Sequence, residues 1–399
     1  MISFFISNIS DFIGAVALIV FCGILSFFLT ESLRIKLLQS SILDKPNIRS
    51  MHSRPVPRGG GWVYVLLVVV WLALLPLFEY FRDQFHLTFN VKELSNFYYH
   101  LEYTEGLIQG AYVSAAIGLS LFLLACISWI DDRKGLSAWL RIVLHIVATS
   151  ALCYFLPIDQ PNFLSWLPGF LFIAVAILCW VGFVNLYNFM DGIDGISGVQ
   201  TLCVCFGLIL LSATSNYHLK TEVIVLSSVL VGCSIGFLLH NWHPAKIFLG
   251  DVGSVPIGFL VGYCLLTFAT APQFHSVSYT VNGLLLAPDY HPIGRFFAAL
   301  TLPLYYLADG GITLARRILR GEKFWEAHRT HFYQRSAQAA GRHDVVVLKI
   351  AACNVLLIVI AMLELLVSPW FVLAAPLPVA LLLHNMAHQR HIGVKSPNG

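Results

Sequence analysis

Charge is the scarcest property of this 399-residue chain. Only 11% of its residues are Asp, Glu, Lys or Arg, against 58% hydrophobic, and the mean hydropathy is +0.77. A soluble domain carries about 25% charged residues, so most of this length faces lipid or other buried helices. The net charge of +3 is small and excludes bulk attraction to nucleic acid, so no nucleic-acid partner is expected. No Cys-x-x-Cys pair occurs. The nine cysteines all lie inside apolar runs and read as small buried hydrophobes, with neither a disulfide framework nor a zinc pattern. Residues 1–30 lack a basic stretch and a small-residue cleavage site, so the first apolar run is expected to be a retained span. Repeats and low-complexity segments are also lacking, and 1–399 reads as a single integral membrane domain.

What is present is a series of long apolar runs. A helix needs roughly 20 apolar residues to cross the hydrocarbon core. On that ruler spans fall near 11–30, 62–79, 108–130, 139–157, 166–187, 195–214, 222–240, 254–272, 293–315, 345–367 and 369–386. The expected fold class is therefore all-α, a polytopic bundle of about eleven transmembrane helices. With the N-terminus outside, the inner segments carry 20 of the 24 Lys and Arg residues. The positive-inside rule then predicts a periplasmic N-terminus, a cytoplasmic C-terminus and cytoplasmic loops near 31–61, 131–141, 188–194, 241–253 and 316–346. Even-numbered spans present their N-termini to the cytoplasm. Unpaired N–H groups and a partial positive charge suit such ends to phosphate.

The polar segments at those ends carry the chemistry. Asn185, Asn188, Asp191 and Asp194 fall within ten residues between two apolar spans, with Gly192 and Gly195 among them. An ionised carboxylate at a helix centre costs about 2.5–3.5 kcal/mol on insertion scales, so carboxylates at membrane depth mark function. Their oxygens suit Mg²⁺, with Mn²⁺ the alternative. Asp251, between Gly250 and Gly253, with Ser254 opening a helix, reads as a metal ligand beside an N-terminal cap. The adjacent Asp131 and Asp132 repel each other, and a cation or metal-bound phosphate would keep both ionised. Arg58 closes a basic, proline-stiffened loop suited to a lipid or nucleotide phosphate. His328 and His331 are too poorly supported by nearby ligands for zinc. With Arg329 and Arg335 they fit phosphate or sugar recognition.

Together these segments resemble one family, the polyprenyl-phosphate N-acetylhexosamine-1-phosphate transferases (glycosyltransferase family 4, phospho-MurNAc-pentapeptide translocase-like). The likeness runs in order from the Lys-Pro-Asn…Pro-Arg-Gly-Gly loop to the basic histidine loop. Where the family often carries His-x-His-His, this chain has His331-Phe332-Tyr333-Gln334. That departure argues against pentapeptide transfer, and residues 320–329 resemble the O-antigen-initiating branch. The resemblance implies transfer of an N-acetylated sugar-1-phosphate from a UDP-N-acetyl-sugar to undecaprenyl phosphate, releasing UMP, at the bacterial inner membrane. It further implies Mg²⁺ on Asp251 and Asn188, with Asp131, Asp132, Asp191 and Asp194 as catalytic carboxylates. Asn185, Gly192, Arg58, Ser254, His328, Arg329 and His331 are the expected substrate-binding residues. A homodimer is a further expectation. Competing readings are a secondary transporter with a carboxylate relay, and a lipid-phosphate-binding protein without chemistry.

Overall fold

The computed structural model describes residues 2–46, 54–89, 97–156, 167–214, 221–270, 280–281, 284–285, 292–322 and 328–389. Parts of the basic loop (47–53), of the outer loop 80–107, of the histidine loop (323–327) and of the C-terminal tail (390–399) lie outside the described residues. The elements are α1 (Ile2–Gln39), a two-residue β1 (Leu43–Asp44) paired antiparallel with β2 (Val56–Pro57), α2 (Trp62–Phe89), α3 (Phe97–Lys134), α4 (Ala138–Cys153), α5 (Gly169–Phe189), α6 (Ile196–Thr214), α7 (Thr221–Asn241) and α8 (Asp251–Thr270). A small hairpin, β3 (Thr280–Val281) and β4 (Leu284–Leu285), precedes α9 (Pro292–Thr301), α10 (Leu304–Leu319), α11 (Phe332–Ala340), α12 (His343–Leu366), a 3₁₀ turn (Pro369–Ala374) and α13 (Pro376–Ala387).

The chain is thus an all-α polytopic bundle. Seven helices are long and apolar enough to cross a membrane, and the bent pair α9–α10 makes an eighth. Three shorter apolar helices, Trp62–Leu77, Ala138–Cys153 and Ile196–Ser212, occupy the other expected positions. The expected ninth span, 293–315, is not one straight helix. It breaks at Leu302–Pro303 and turns by 66°. Pro303 has no N–H to continue the ladder, and its ring clashes with the preceding turn. The last pair divides where expected, with the Ser368 hydroxyl accepting from Trp370 N at the break.

Helix α8 is at the centre. It is apolar all round, and from Val252 to Leu265 every residue is buried, against α3, α5, α9 and others. The lipid-facing helices show the opposite pattern, as in α5, where Phe172, Ala176 and Trp180 point inward while Phe170 and Leu178 are exposed. The centrality of α8 matters because its first residue is Asp251.

Candidate active site

The start of α8 is held by the loop that precedes α2. Phe248 N donates to Pro57 O at 2.8 Å, Gly60 N to Phe248 O at 2.9 Å and Gly61 N to Leu249 O at 3.0 Å. The two backbones touch: a Cβ on Gly61 would lie 2.1 Å from the Cα of Gly253. Only glycine permits that approach. It seats Arg58 between two carboxylates, with a guanidinium nitrogen 2.6 Å from Asp132 Oδ1 and 2.8 Å from Asp251 Oδ1. Burial works against the Arg58 charge, but Asp251 and Asp132 outweigh it and hold its pKa above the usual value. Asp251 N donates to Asp132 Oδ2 at 3.2 Å, so the end of α3, the α2 loop and α8 meet in one knot.

The end of α5 joins from the other side. Ser254, one turn into α8, donates its hydroxyl to Asn188 Oδ1 at 2.6 Å. Asn188 O accepts from Asp191 N at 3.2 Å, and Asp191 begins the loop to α6. Burial pushes the Asp191 carboxyl up to about 6. Ser197 and Arg58 pull it down, while Asp251 pushes it further up. Asp132, Asp191 and Asp251 thus act on one guanidinium. The surplus negative charge, with the oxygen of Asn188 beside it, suits a divalent cation with oxygen ligands.

The expected residues divide between this knot and its surroundings. Arg58, Asp132, Asp251, Asn188 and Ser254 are brought together, with Asp191 beside them. Asp131 is directed elsewhere: Oδ2 pairs with Arg141 at 3.0 Å and Oδ1 accepts Leu136 N. Asn185 lies further up α5, with Nδ2 donating to Val181 O at 2.8 Å and lying 3.2 Å from His145 Nδ1. Asp194 is buried against histidines. His243 Nδ1 is 2.7 Å from its Oδ2, His343 Nδ1 is 3.1 Å away, and Ala245 N donates at 3.2 Å. Burial alone would raise the Asp194 pKa, but these partners, His343 foremost, hold it below the usual carboxylate range.

The histidine loop is not all loop, and α11 within it escaped sequence reasoning. Its start is anchored by Asp309 of α10, fully buried, which accepts from Phe332 N and Tyr333 N at 3.1 Å each. His331 Nδ1 is 3.2 Å from the same carboxylate, and its ring stacks on His328. Arg329 stands between those two histidines in the chain. Tyr333 crosses to the site loop: its hydroxyl donates to Phe189 O at 3.2 Å. Gly192 underlies it, and a Cβ there would come within 2.3 Å of that hydroxyl. Asp309 is an ionisable residue inside an apolar run. Nothing in the local pattern pairs Asp309 with residues 331–333.

An apolar groove of about 460 Å³ runs between α5, α8 and the bent pair. Trp180, Phe183, Leu186, Phe296, Pro303 and Leu307 are among its walls. Leu186 on its wall stands two residues before Asn188 on α5, while Val175 and Leu300 on its walls are exposed on the apolar belt.

Residues 114–269 match the family described as Glycosyl transferase family 4. A decaprenyl-phosphate N-acetylglucosaminephosphotransferase of Mycolicibacterium smegmatis is 26% identical over 344 residues, covering 82% of this chain and 76% of that protein. A phospho-N-acetylmuramoyl-pentapeptide-transferase of Streptococcus mutans is 27% identical over 272 residues, covering 62% of this chain and 72% of its own length. One of the same description from Chlamydia abortus is 36% identical over 165 residues, 35% of this chain and 47% of that protein.

Proposed function

We propose, for a chain that belongs to the polyprenyl-phosphate hexosamine-1-phosphate transferases and so moves a hexosamine phosphate onto a polyprenyl phosphate, that the donor is a UDP-N-acetyl-sugar and the acceptor undecaprenyl phosphate. UMP is the leaving product, and the step opens O-antigen or related surface polysaccharide synthesis. The site faces the cytoplasm of the bacterial inner membrane, a reading supported by the Lys and Arg bias toward the segments that carry it. The observation that carries the proposal is Arg58 bridging Asp132 and Asp251 where α2, α3 and α8 meet.

Phosphoryl transfer needs positioning and charge neutralisation more than covalent chemistry from the protein. Asp251 and Asn188 Oδ1 would hold Mg²⁺, which supplies charge neutralisation at the donor pyrophosphate. Ser254 supports this by orienting Asn188 through its hydrogen bond. Arg58 keeps Asp132 and Asp251 from repelling each other and turns both toward one place. The apolar groove accepts part of the prenyl chain, with its phosphate at the Leu186 end. An acceptor phosphate oxygen then forms a bond to the donor β-phosphorus. The bridging P–O bond breaks and UMP leaves with the electron pair. A lipid phosphate has a second pKa near 6 and is mostly a dianion at pH 7, so removal of a proton from it contributes little. His328, Arg329 and His331, tied to the site loop through α11, are the contacts that select the sugar.

The test is UMP release by detergent-purified protein given undecaprenyl phosphate, Mg²⁺ and a panel of UDP-N-acetyl-sugars, beside Asp251→Ala. Metal-dependent UMP with one sugar, lost in the variant, supports the reading and names the donor. Folded protein that releases no UMP from any donor sinks it.

A further inference from the structure

Sequence spacing offered no zinc site, yet three residues from distant parts of the chain assemble one. Asp194 of the site loop, His243 of the segment before α8 and His343 at the start of α12 each offer one ligand atom, and these atoms lie within 4.8 Å of one another. It is the one such group of three among the described residues. The side chains of Asp194 and His343 are only 8% and 6% exposed, while His243 is 27% exposed and leaves a way in from water.

The hydrogen-bond pattern leaves room for a cation. Asp194 Oδ2 accepts Ala245 N–H and lies 2.7 Å from His243 Nδ1 and 3.1 Å from His343 Nδ1. His343 Nδ1 is also the acceptor for the backbone N–H of Asp194, at 3.2 Å. A ring nitrogen is either a donor or an acceptor, not both. If it accepts from Asp194 N, its lone pair faces a carboxylate oxygen with no proton between them. Either a proton on Nδ1 or a metal ion shared by the three atoms removes that conflict, and with the metal the Nδ1 lone pair turns from the Asp194 N–H to the ion. Zinc bonds of about 2.0–2.1 Å in a tetrahedron set ligand atoms about 3.3 Å apart, close to the 3.1 Å of His343, while His243 at 2.7 Å would move out by about half an ångström.

We propose that Asp194, His243 and His343 bind a zinc-type divalent cation, distinct from the oxygen-ligand cation at Asp251. Two imidazoles and one carboxylate suit zinc, whereas the Asp251 knot offers only oxygen. The ion would tie the site loop to the segment before α8 and to the head of α12. Its binding energy would therefore appear as stability of the folded protein.

The experiment uses full-length, tag-free protein in detergent, loaded with Zn²⁺ or Co²⁺ and dialysed before metal analysis. Wild type should retain stoichiometric zinc, show the intense visible absorption of tetrahedral Co²⁺, and melt higher with zinc than after chelation. Asp251→Ala should keep the zinc while losing UMP release, which separates this proposal from the transferase reading. His243→Asn and His343→Asn should weaken zinc binding tenfold or more. Wild type that retains no zinc and gives no tetrahedral cobalt spectrum overturns the proposal. So does equal zinc retention by both histidine variants. If either variant elutes as aggregate, the cobalt spectrum of wild type decides alone.

Discussion

Asp191 and Asp194 sit three residues apart on one loop, and their surroundings push them in opposite directions. Asp191 shares its neighbourhood with Asp251 and is raised to about 6 by burial. Asp194 is buried as well but meets two imidazoles and a backbone N–H, and is held below the usual carboxylate range. The residue type is the same, and so is the chain segment. Partners decide which carboxylate holds its proton more tightly and which stays ionised against its histidines. Asp131 and Asp132 divide in the same way, one committed to Arg141 and Leu136, the other to Arg58.

The most severe break of this contrast is Asp251→Ala. Without it Arg58 loses a partner and, on the proposed reading, the cation loses a ligand. UMP release should fall by at least ~10²-fold, the scale of losing one preorganised charge-stabilising group. Arg58→Ala should come next, at roughly 10- to 10²-fold, because Asp132 and Asp251 are then left to repel each other. Arg58→Lys should recover only part of the loss, since one ammonium replaces a planar fork. Steady-state UMP assays across the three variants check that order.

Gly192 probes the loop from its other side. Gly192→Ala should cost about 1–3 kcal/mol of stability by pressing on Tyr333. Gly192→Ala with Tyr333→Phe should be less destabilised than Gly192→Ala alone, because the crowded hydroxyl is gone. Thermal melts of the two proteins decide it.

The smallest effect is on pH. The folded pKa of Asp191 lies above its unfolded value near 3.8, so the fold favours its protonated form. That preference is fully present below pH ~4 and is lost as pH rises through about 6. Asp191→Asn should therefore gain stability relative to wild type at pH 8 and nothing at pH 4. Asp194 has the reverse sign. Its contribution is present above its unfolded pKa near 3.8 and is lost as pH falls through the depressed folded value. Asp194→Asn should destabilise at pH 8 and not at low pH. Denaturation midpoints at two pH values separate the two residues, and a common sign would refute the contrast.

The spans were legible because a lipid-facing helix must be apolar for its whole length, and a run of that kind is visible without any knowledge of tertiary contacts. The bend at Pro303 was not legible in the apolar run, which reads as one span over 293–315, because hydropathy does not register a lost N–H. The knot was legible as a set of residues: Arg58, Asp132, Asn188, Asp251 and Ser254 all stand next to helix ends in the sequence. Their pairing was not, because Arg58 reaches Asp251 across 193 positions of chain. Helix α11 was hidden for another reason. It has nine residues, too few to be stable alone, and forms where Asp309 satisfies its first N–H groups. The histidine partners of Asp194 are the extreme case, since residues 194, 243 and 343 share no local pattern.

The groove beside the bent pair has a consequence for how this enzyme counts its substrates. Its walls reach the apolar belt at Val175 and Leu300, so on the proposed reading the acceptor arrives sideways, by diffusion within a leaflet. The donor arrives from water. One substrate is thus measured in molar units and the other as a mole fraction of lipid. Adding inert detergent or phospholipid at constant total acceptor should slow the reaction as though acceptor had been removed, a surface dilution that a pocket filled only from water would not show.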